Sequence, residues 1–324
     1  MVYASAMPKV AAWLSVFCVL SLPASSADAQ RGGVAERIAA HVDATTAEWV
    51  AVRRDLHQNP EVSGQEVRTA KVVADHLRKL GLEVRTGVGG HGVVGILTGG
   101  RPGPLVAYRA DMDAVRSTAP DPVAFPSLVP GVRHICGHDV HVTIGLGLAS
   151  ALASVKADLP GRVMFIFQPA EERATGARAM LDAGLFSAGR PEAIFGLHSA
   201  PLDVGLVSSK PGLMMHPNQV APGVTNHDTL FASARADLVA TFGAAAFSDL
   251  GAPPDGFSED FGAFQAEVPG VFFFLGMGNA AKGIAAMPHS PNFAVDEASI
   301  PFGVKAMAAV VVGRLTAGRA GKRE

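Results

Sequence analysis

Five side chains able to hold a metal fall within eight residues: His134, Cys136, His138, Asp139 and His141. A thiol and imidazoles at this density are the donor set of a metal site, and Cys136-Gly137-His138 brings a thiolate and an imidazole onto one tight turn. The plainer alternative is a loop of exposed histidines beside a buried thiol. Glu171-Glu172 forms a second cluster. Paired glutamates usually open a solvated helix. Here they follow an apolar strand and Pro169, where one carboxylate could bind metal and the other act as general base on the metal-bound water. His198 and His289 taken singly have bland explanations, but beside Cys136 and His138 they read as further ligands.

These clusters sit where strands end. Tyr108 runs into Arg109-Ala110-Asp111-Met112-Asp113, Phe167 into Gln168-Pro169-Ala170-Glu171-Glu172, and Leu197 into His198. The apolar segment ending at Leu275 loops on to Met287-Pro288-His289-Ser290. Apolar runs predict buried strands over 92–97, 105–108, 163–167, 193–197 and 271–275. Helical periodicity and composition predict helices over 38–59, 66–82, 143–155, 176–183, 228–242 and 304–315. Continuous apolar strands alternating with helices imply an α/β fold with a sheet covered on both faces. In such sheets the site lies beyond the carboxyl ends of the strands.

Composition narrows the class. The 324 residues are 48% apolar and 17% charged, which excludes a disordered chain and is enough for one large domain or two. A net charge of −2, from 27 basic and 29 acidic residues, argues against nucleic acid or an anionic membrane as partner. No internal stretch reads as apolar enough to span a bilayer. Lys9, the apolar run 10–22, Pro23 and Ala27-Asp28-Ala29 make a secretory signal with cleavage after Ala29. An uncleaved anchor is the alternative, though thirteen apolar residues are short for a span. Cys18 is preceded by Phe17 rather than the small residue of a lipoprotein signal. Cleavage leaves Cys136 as the single cysteine, so an internal disulfide is excluded. The expected product is a periplasmic or secreted protein with no stable membrane association.

The chain resembles the M20 metallopeptidases, and within them the branch of hippurate hydrolases, N-acyl-amino-acid deacylases and auxin-conjugate hydrolases. The resemblance runs through Arg53-Arg54-Asp55-Leu56-His57-Gln58-Asn59-Pro60-Glu61, Arg109 to Ala114, Cys136-Gly137-His138-Asp139 and Phe167 to Glu172. It continues through Gly196-Leu197-His198, Ser258-Glu259-Asp260-Phe261 and the His289-Ser290 segment leading to Asp296-Glu297. It implies a three-layer α/β/α catalytic domain with a mixed, mostly parallel central sheet. It further implies two divalent metal ions, manganese or zinc. Cys136, His138, Glu172, His198 and His289 match the ligand positions, Glu171 the general base, and Asp113 a residue that orients a ligand.

The chain departs from that family in one large respect. Members carry a second, smaller lid domain between the halves of the catalytic domain, which commonly forms the dimer contact and supplies substrate contacts. Here residues 30–215 and 224–324 are separated only by 216–223, a linker with two prolines and a glycine. The inserted lid domain is absent by this reading. An apolar face near Met214 and Met215 is then expected to meet solvent, and a monomer or a dimer of another kind is expected. A smaller departure is Val115-Arg116, where the family has an apolar residue and proline. The activity implied is hydrolysis of the amide in N-acyl amino acids or related small-molecule conjugates. The alternatives are a weakly active or inactive metal-binding remnant and an exported aminopeptidase of the same family.

Overall fold

A computed structural model describes residues 26–249 and 257–317. The expected leader, 1–29, falls outside these residues as far as position 25. The first helix, α1 (Ser26–Gln58), passes through Ala29 without a break.

Eight strands form one sheet. They are β1 (Glu83–Val88), β2 (Gly92–Thr98), β3 (Arg101–Asp111), β4 (Pro160–Gln168), β5 (Ala193–Asp203), β6 (Val207–Ser209), β7 (Phe247–Asp249) and β8 (Gly270–Gly278). Their order across the sheet is β1-β2-β4-β3-β5-β8-β6-β7. The central run β4-β3-β5-β8 is parallel throughout, and β1, β2 and the β8–β6 pair add the antiparallel edges.

Successive side chains of a strand point to opposite faces, and both faces here are apolar. Val93, Val106, Tyr108, Phe165, Phe195 and Phe273 face one helical layer. Val94, Ala107, Met164, Ile166, Ile194 and Phe272 face the other. The first layer holds α1, α2 (Val67–Lys79), α3 (His138–Ser154), α5 (Asp228–Phe242) and α7 (Ser299–Ala317). The second holds α4 (Gly176–Asp182), the short α6 (Gly262–Gln265) and a hairpin. This is the expected three-layer α/β/α architecture with a mixed, mostly parallel sheet.

The structure alters several readings of the sequence. α3 starts five residues earlier than its periodicity suggests, at His138 itself, with Gly137 at φ 92 as its cap. α7 is long and apolar enough to cross a membrane by length and composition, which corrects the expectation that no internal stretch is. In this fold it packs against α1, α3 and α5, burying Ile300, Val304, Met307, Val311 and Leu315.

The segment 216–223 is the loop of a hairpin, because Gly212–Met215 pairs antiparallel with Val224–Asn226. The Asn218 side chain turns the loop by accepting from the Val220 and Ala221 N–H groups. Met214 and Met215 themselves are each only 2% exposed, and the apolar surface expected near them is carried instead by Leu213, 40% exposed, and Val220, 66% exposed. Asn226 draws the hairpin onto the sheet. Its amide donates to Ser209 Oγ at 2.9 Å and its carbonyl accepts from Phe272 N at 2.7 Å.

Close approach of α4 to the end of β4 requires a glycine. A Cβ on Gly176 would fall 1.6 Å from the Pro169 carbonyl oxygen. Gly176→Ala is therefore expected to shift this backbone at a cost of about 1–3 kcal/mol, the usual range for overpacking. The check is the midpoint of chemical denaturation, and an unchanged midpoint would contradict the packing.

Candidate metal centre

The site assembles at the carboxyl edge of the parallel strands. β3 ends in Asp111, followed by Met112 and Asp113, and β4 ends in Gln168, followed by the single 3-10 turn Glu171–Arg173. His198 lies inside β5, which continues to Asp203, rather than at a strand end. Cys136 and His138 straddle the start of α3, and His289 comes from the loop after β8.

These residues converge. Donor atoms of Cys136, His138 and His198 lie within 4.8 Å of one another, as do those of Cys136, Glu172 and His289. Cys136 belongs to both groups. A third group joins His138 to Glu171 and Glu172. Cys136 Sγ is 3.3 Å from His198 Nε2, and His289 Nε2 is 3.2 Å from Glu172 Oε1.

The histidines are aimed by their second nitrogens. His138 Nδ1 meets the Asp113 backbone carbonyl at 2.8 Å, and His198 Nδ1 the Ser199 carbonyl at 2.9 Å. A carbonyl oxygen only accepts, so each Nδ1 carries the proton and each Nε2 lone pair faces the cluster. His138 Nε2 is fully buried with no hydrogen-bond partner. An orphaned imidazole nitrogen beside a thiol and two carboxylates fits divalent metal chemistry, since such a group is costly unless something is coordinated there.

Asp113 organises the glutamate turn. Its carboxylate accepts from Ser63 Oγ at 2.6 Å, Glu171 N at 3.1 Å and Glu172 N at 3.0 Å. Ala170 and Ala174, at φ 54 and 52, bracket the turn in the left-handed region, and His289 is at φ 67. Each such residue costs about 1–2 kcal/mol, so the surrounding contacts over-determine the geometry. Burial raises the Glu171 pKa well above the ordinary glutamate value, and the nearby Glu259 and Asp260 charges add to it.

Three buried networks were not legible as function in the sequence. Arg109 donates to Gln168 Oε1 at 2.7 Å, Asp111 Oδ2 at 2.7 Å and Glu259 Oε1 at 2.8 Å, and Gln168 donates to Asp260 Oδ1 at 2.7 Å. His141 Nδ1 donates to Asp111 Oδ1 at 2.6 Å while its Nε2 accepts from Ser199 N at 2.9 Å. Ser199 Oγ in turn donates to the Cys136 carbonyl at 2.7 Å, so His141 ties β5 to the Cys136–His138 turn. His134 has no hydrogen-bond partner for either ring nitrogen, and burial pulls its pKa down to about 4.

The third network centres on His57. Its Nδ1 is 2.7 Å from Asp139 Oδ2 and its Nε2 is 3.1 Å from Asp121 Oδ2. Arg53 Nε also reaches Asp139 Oδ2, at 2.8 Å. Two ionised carboxylates require both ring nitrogens to donate, so the ring is an imidazolium. Burial and Arg53 oppose that charge, but Asp139 and Asp121 prevail and raise the His57 pKa. Burial likewise opposes ionisation of Asp121, yet His57 and the Ser127 N–H bring it down to about 2.

The sequence profile described as Peptidase family M20/M25/M40 matches residues 107–312. The chain belongs to that family. Thermostable carboxypeptidase 2 of Saccharolobus solfataricus is 43% identical over 173 residues, covering 52% of this chain and 44% of the carboxypeptidase. N-acetyldiaminopimelate deacetylase of Listeria innocua is 40% identical over 174 residues, covering 52% and 45%. The chain thus matches less than half the length of these relatives. Among solved structures, the YXEP protein of Bacillus subtilis, described as a dinuclear metal binding peptidase from the M20 family, superposes with a TM-score of 0.75. It is 26% identical, with 84% of this chain and 99% of that chain covered.

The His57 network carries a signed pH dependence. A raised histidine contributes stability in full below its unfolded value of about 6.5, and that share is lost as pH rises through the folded value. The depressed Asp121 contributes in full above about pH 4, and its share is lost as pH falls toward 2. The denaturation midpoint is therefore expected to decline above about pH 6.5, and His57→Gln to flatten that alkaline limb. Identical alkaline limbs in wild type and His57→Gln would contradict the imidazolium.

Proposed function

We propose that the chain is a metal-dependent amidohydrolase cleaving the amide of N-acyl amino acids or related conjugates, with Glu171 as general base. The observation that carries this reading is the pair of three-donor groups sharing Cys136, with the Glu171 carboxylate against them. The relatives named as a deacetylase and a carboxypeptidase, and the neighbour described as dinuclear metal binding, support it.

Cys136, His138 and His198 would hold one divalent ion, and Cys136, Glu172 and His289 the other. Manganese or zinc suits this mixed sulfur, nitrogen and oxygen set. Two such ions supply Lewis acidity toward a water and toward the amide carbonyl. The protein's own groups do the rest. Glu171 takes a proton from the attacking water at its carboxylate and returns it to the departing amine nitrogen. Burial, which raises its pKa above the ordinary glutamate value, suits a group that both takes and returns a proton. Asp113 holds Glu171 and Glu172 by their backbone N–H groups and fixes the His138 ring through its own carbonyl.

Metal analysis and kinetics on three variants test the assignment together. Cys136→Ala and Glu172→Gln are expected to lower bound metal per chain. Glu171→Gln keeps size and metal but cannot accept the proton, so its kcat is expected to fall by roughly 10²–10⁴-fold. Metal lost in Glu171→Gln and kept in Glu172→Gln would reverse the two roles. Metal bound in full with no turnover of any N-acyl amino acid would favour the inactive remnant.

We also propose export, from the charged, apolar and small-residue segments before Gln30. Intact mass of the protein recovered outside the cytoplasm is expected to correspond to a start at Gln30, and a product retaining Met1 would contradict cleavage.

A further inference from the structure

We propose that Arg173 is the residue that reads the substrate's α-carboxylate, so that the site takes N-acyl amino acids with a free carboxylate in preference to neutral amides. This rests on the amidohydrolase reading above and assigns a recognition role within the same site.

A cavity of about 460 Å³ opens over the cluster, and Glu171, Glu172, His198 and His289 line it. That volume lies in the range of small-ligand sites. Arg173 is the one arginine or lysine among its described lining residues. The metal ions proposed above lie at the cluster itself, and at the rim of the cavity Arg173 is the cation placed to pair with an entering carboxylate. Neighbouring guanidiniums are already engaged: Arg53 with Asp139, Arg54 with Glu297, Arg109 with Asp111 and Glu259, and Arg133 with Asp121. Arg173, by contrast, makes no side-chain hydrogen bond or ion pair with any described residue, and it is exposed.

The turn explains the placement. In a 3-10 turn three consecutive side chains point about 120° apart. Glu171 is directed into the protein, Glu172 toward His289, and Arg173 to the rim. The left-handed Ala170 and Ala174 fix both ends. Arg173 Nη1 lies beside Gly64, where a Cβ would sit 3.5 Å from it. The α-carboxylate of an N-acyl amino acid is joined to the amide nitrogen through one carbon. Its anchor must therefore come from the immediate surroundings of the reacting amide, and the residue after Glu172, about 3.8 Å along the backbone, does so. A guanidinium engages a carboxylate through two parallel N–H···O bonds.

Much of the remaining cavity wall is apolar. Val220, Phe257 and Met287 line it, and Val220 is brought there by the 216–223 loop. Asn218 Nδ2 holds that loop to Ser258 Oγ at 2.8 Å. The wall suits an apolar amino acid side chain or acyl group, so N-acetyl-L-methionine is a fitting probe.

The test compares N-acetyl-L-methionine with its carboxamide, which keeps the scissile amide and removes the charge. With manganese-loaded protein, Arg173→Met is expected to raise KM for the acid by roughly 10-fold or more, the worth of a charged hydrogen bond. Its kcat and its KM for the carboxamide should stay near wild type, and Arg173→Lys should recover part of the loss. Equal effects on both substrates would overturn the assignment. Calorimetric binding of N-acetyl-L-methionine to Glu171→Gln protein, with and without Arg173→Met, separates the two readings. Binding that ignores Arg173 overturns this inference, whereas Arg173-dependent binding without cleavage by wild type supports it and overturns the amidohydrolase reading alone.

Discussion

A guanidinium with no solvent exposure holds the site edge of this sheet together. Arg109 is completely buried, and a buried cation is tolerable only when it is paired and hydrogen-bonded. Its partners come from separate parts of the chain. Asp111 is two residues along β3, Gln168 ends β4, and Glu259 and Asp260 lie beyond the hairpin loop. Asp260 also accepts from the Ala177 N–H, so α4 joins the same network. Removing one partner would leave buried polar groups of this network without their hydrogen bonds. The strand ends, the helix and the 258–261 segment are thus fixed relative to one another by one electrostatic requirement.

The metal centre inherits its geometry from that frame. Asp111, held by Arg109, fixes His141, and His141 in turn fixes Ser199 and through it the Cys136 carbonyl. Asp113, two residues further on, grips the glutamate turn by its backbone. The strained positions Ala170, Ala174 and His289 cluster here and nowhere else among the described residues. Strain of this kind persists where surrounding contacts outvote it. It places Glu171, Glu172 and Arg173 in three different environments within a single turn.

The 216–223 loop occupies the point in the chain where the resemblance leads one to expect a whole lid domain. In the fold it closes a hairpin whose buried Met214 and Met215 extend the outer core. The same loop leans over the cavity through Val220. A lid excludes water and completes substrate contacts. Here the 216–223 loop supplies Val220 to the cavity wall, beside Phe257 and Met287 from later in the chain.

The sequence by itself determined the layers and marked the residues that the fold gathers into candidate metal-binding groups. Short apolar runs rich in aromatic and β-branched residues, such as 163–167 and 271–275, read as strands buried on both faces, and the runs before Gln168, His198 and the His289 loop located the site edge. Cys136-Gly137-His138 and Glu171-Glu172 were legible because neighbours in sequence stay neighbours in space. What only the tertiary structure decided involves long separations or backbone geometry. Arg109 meets Glu259 across 150 positions, and His57 meets Asp139 across 82. No local periodicity reports such pairs. The burial of Met214 and Met215 depended on Asn226 docking the hairpin, and the start of α3 at His138 depended on Gly137 turning left-handed. The apolar character of α7 was present in the sequence all along. Composition cannot say whether such a helix faces lipid or a protein core, because both remove the same side chains from water; only the packing of α7 against α1, α3 and α5 places it in the core of this fold.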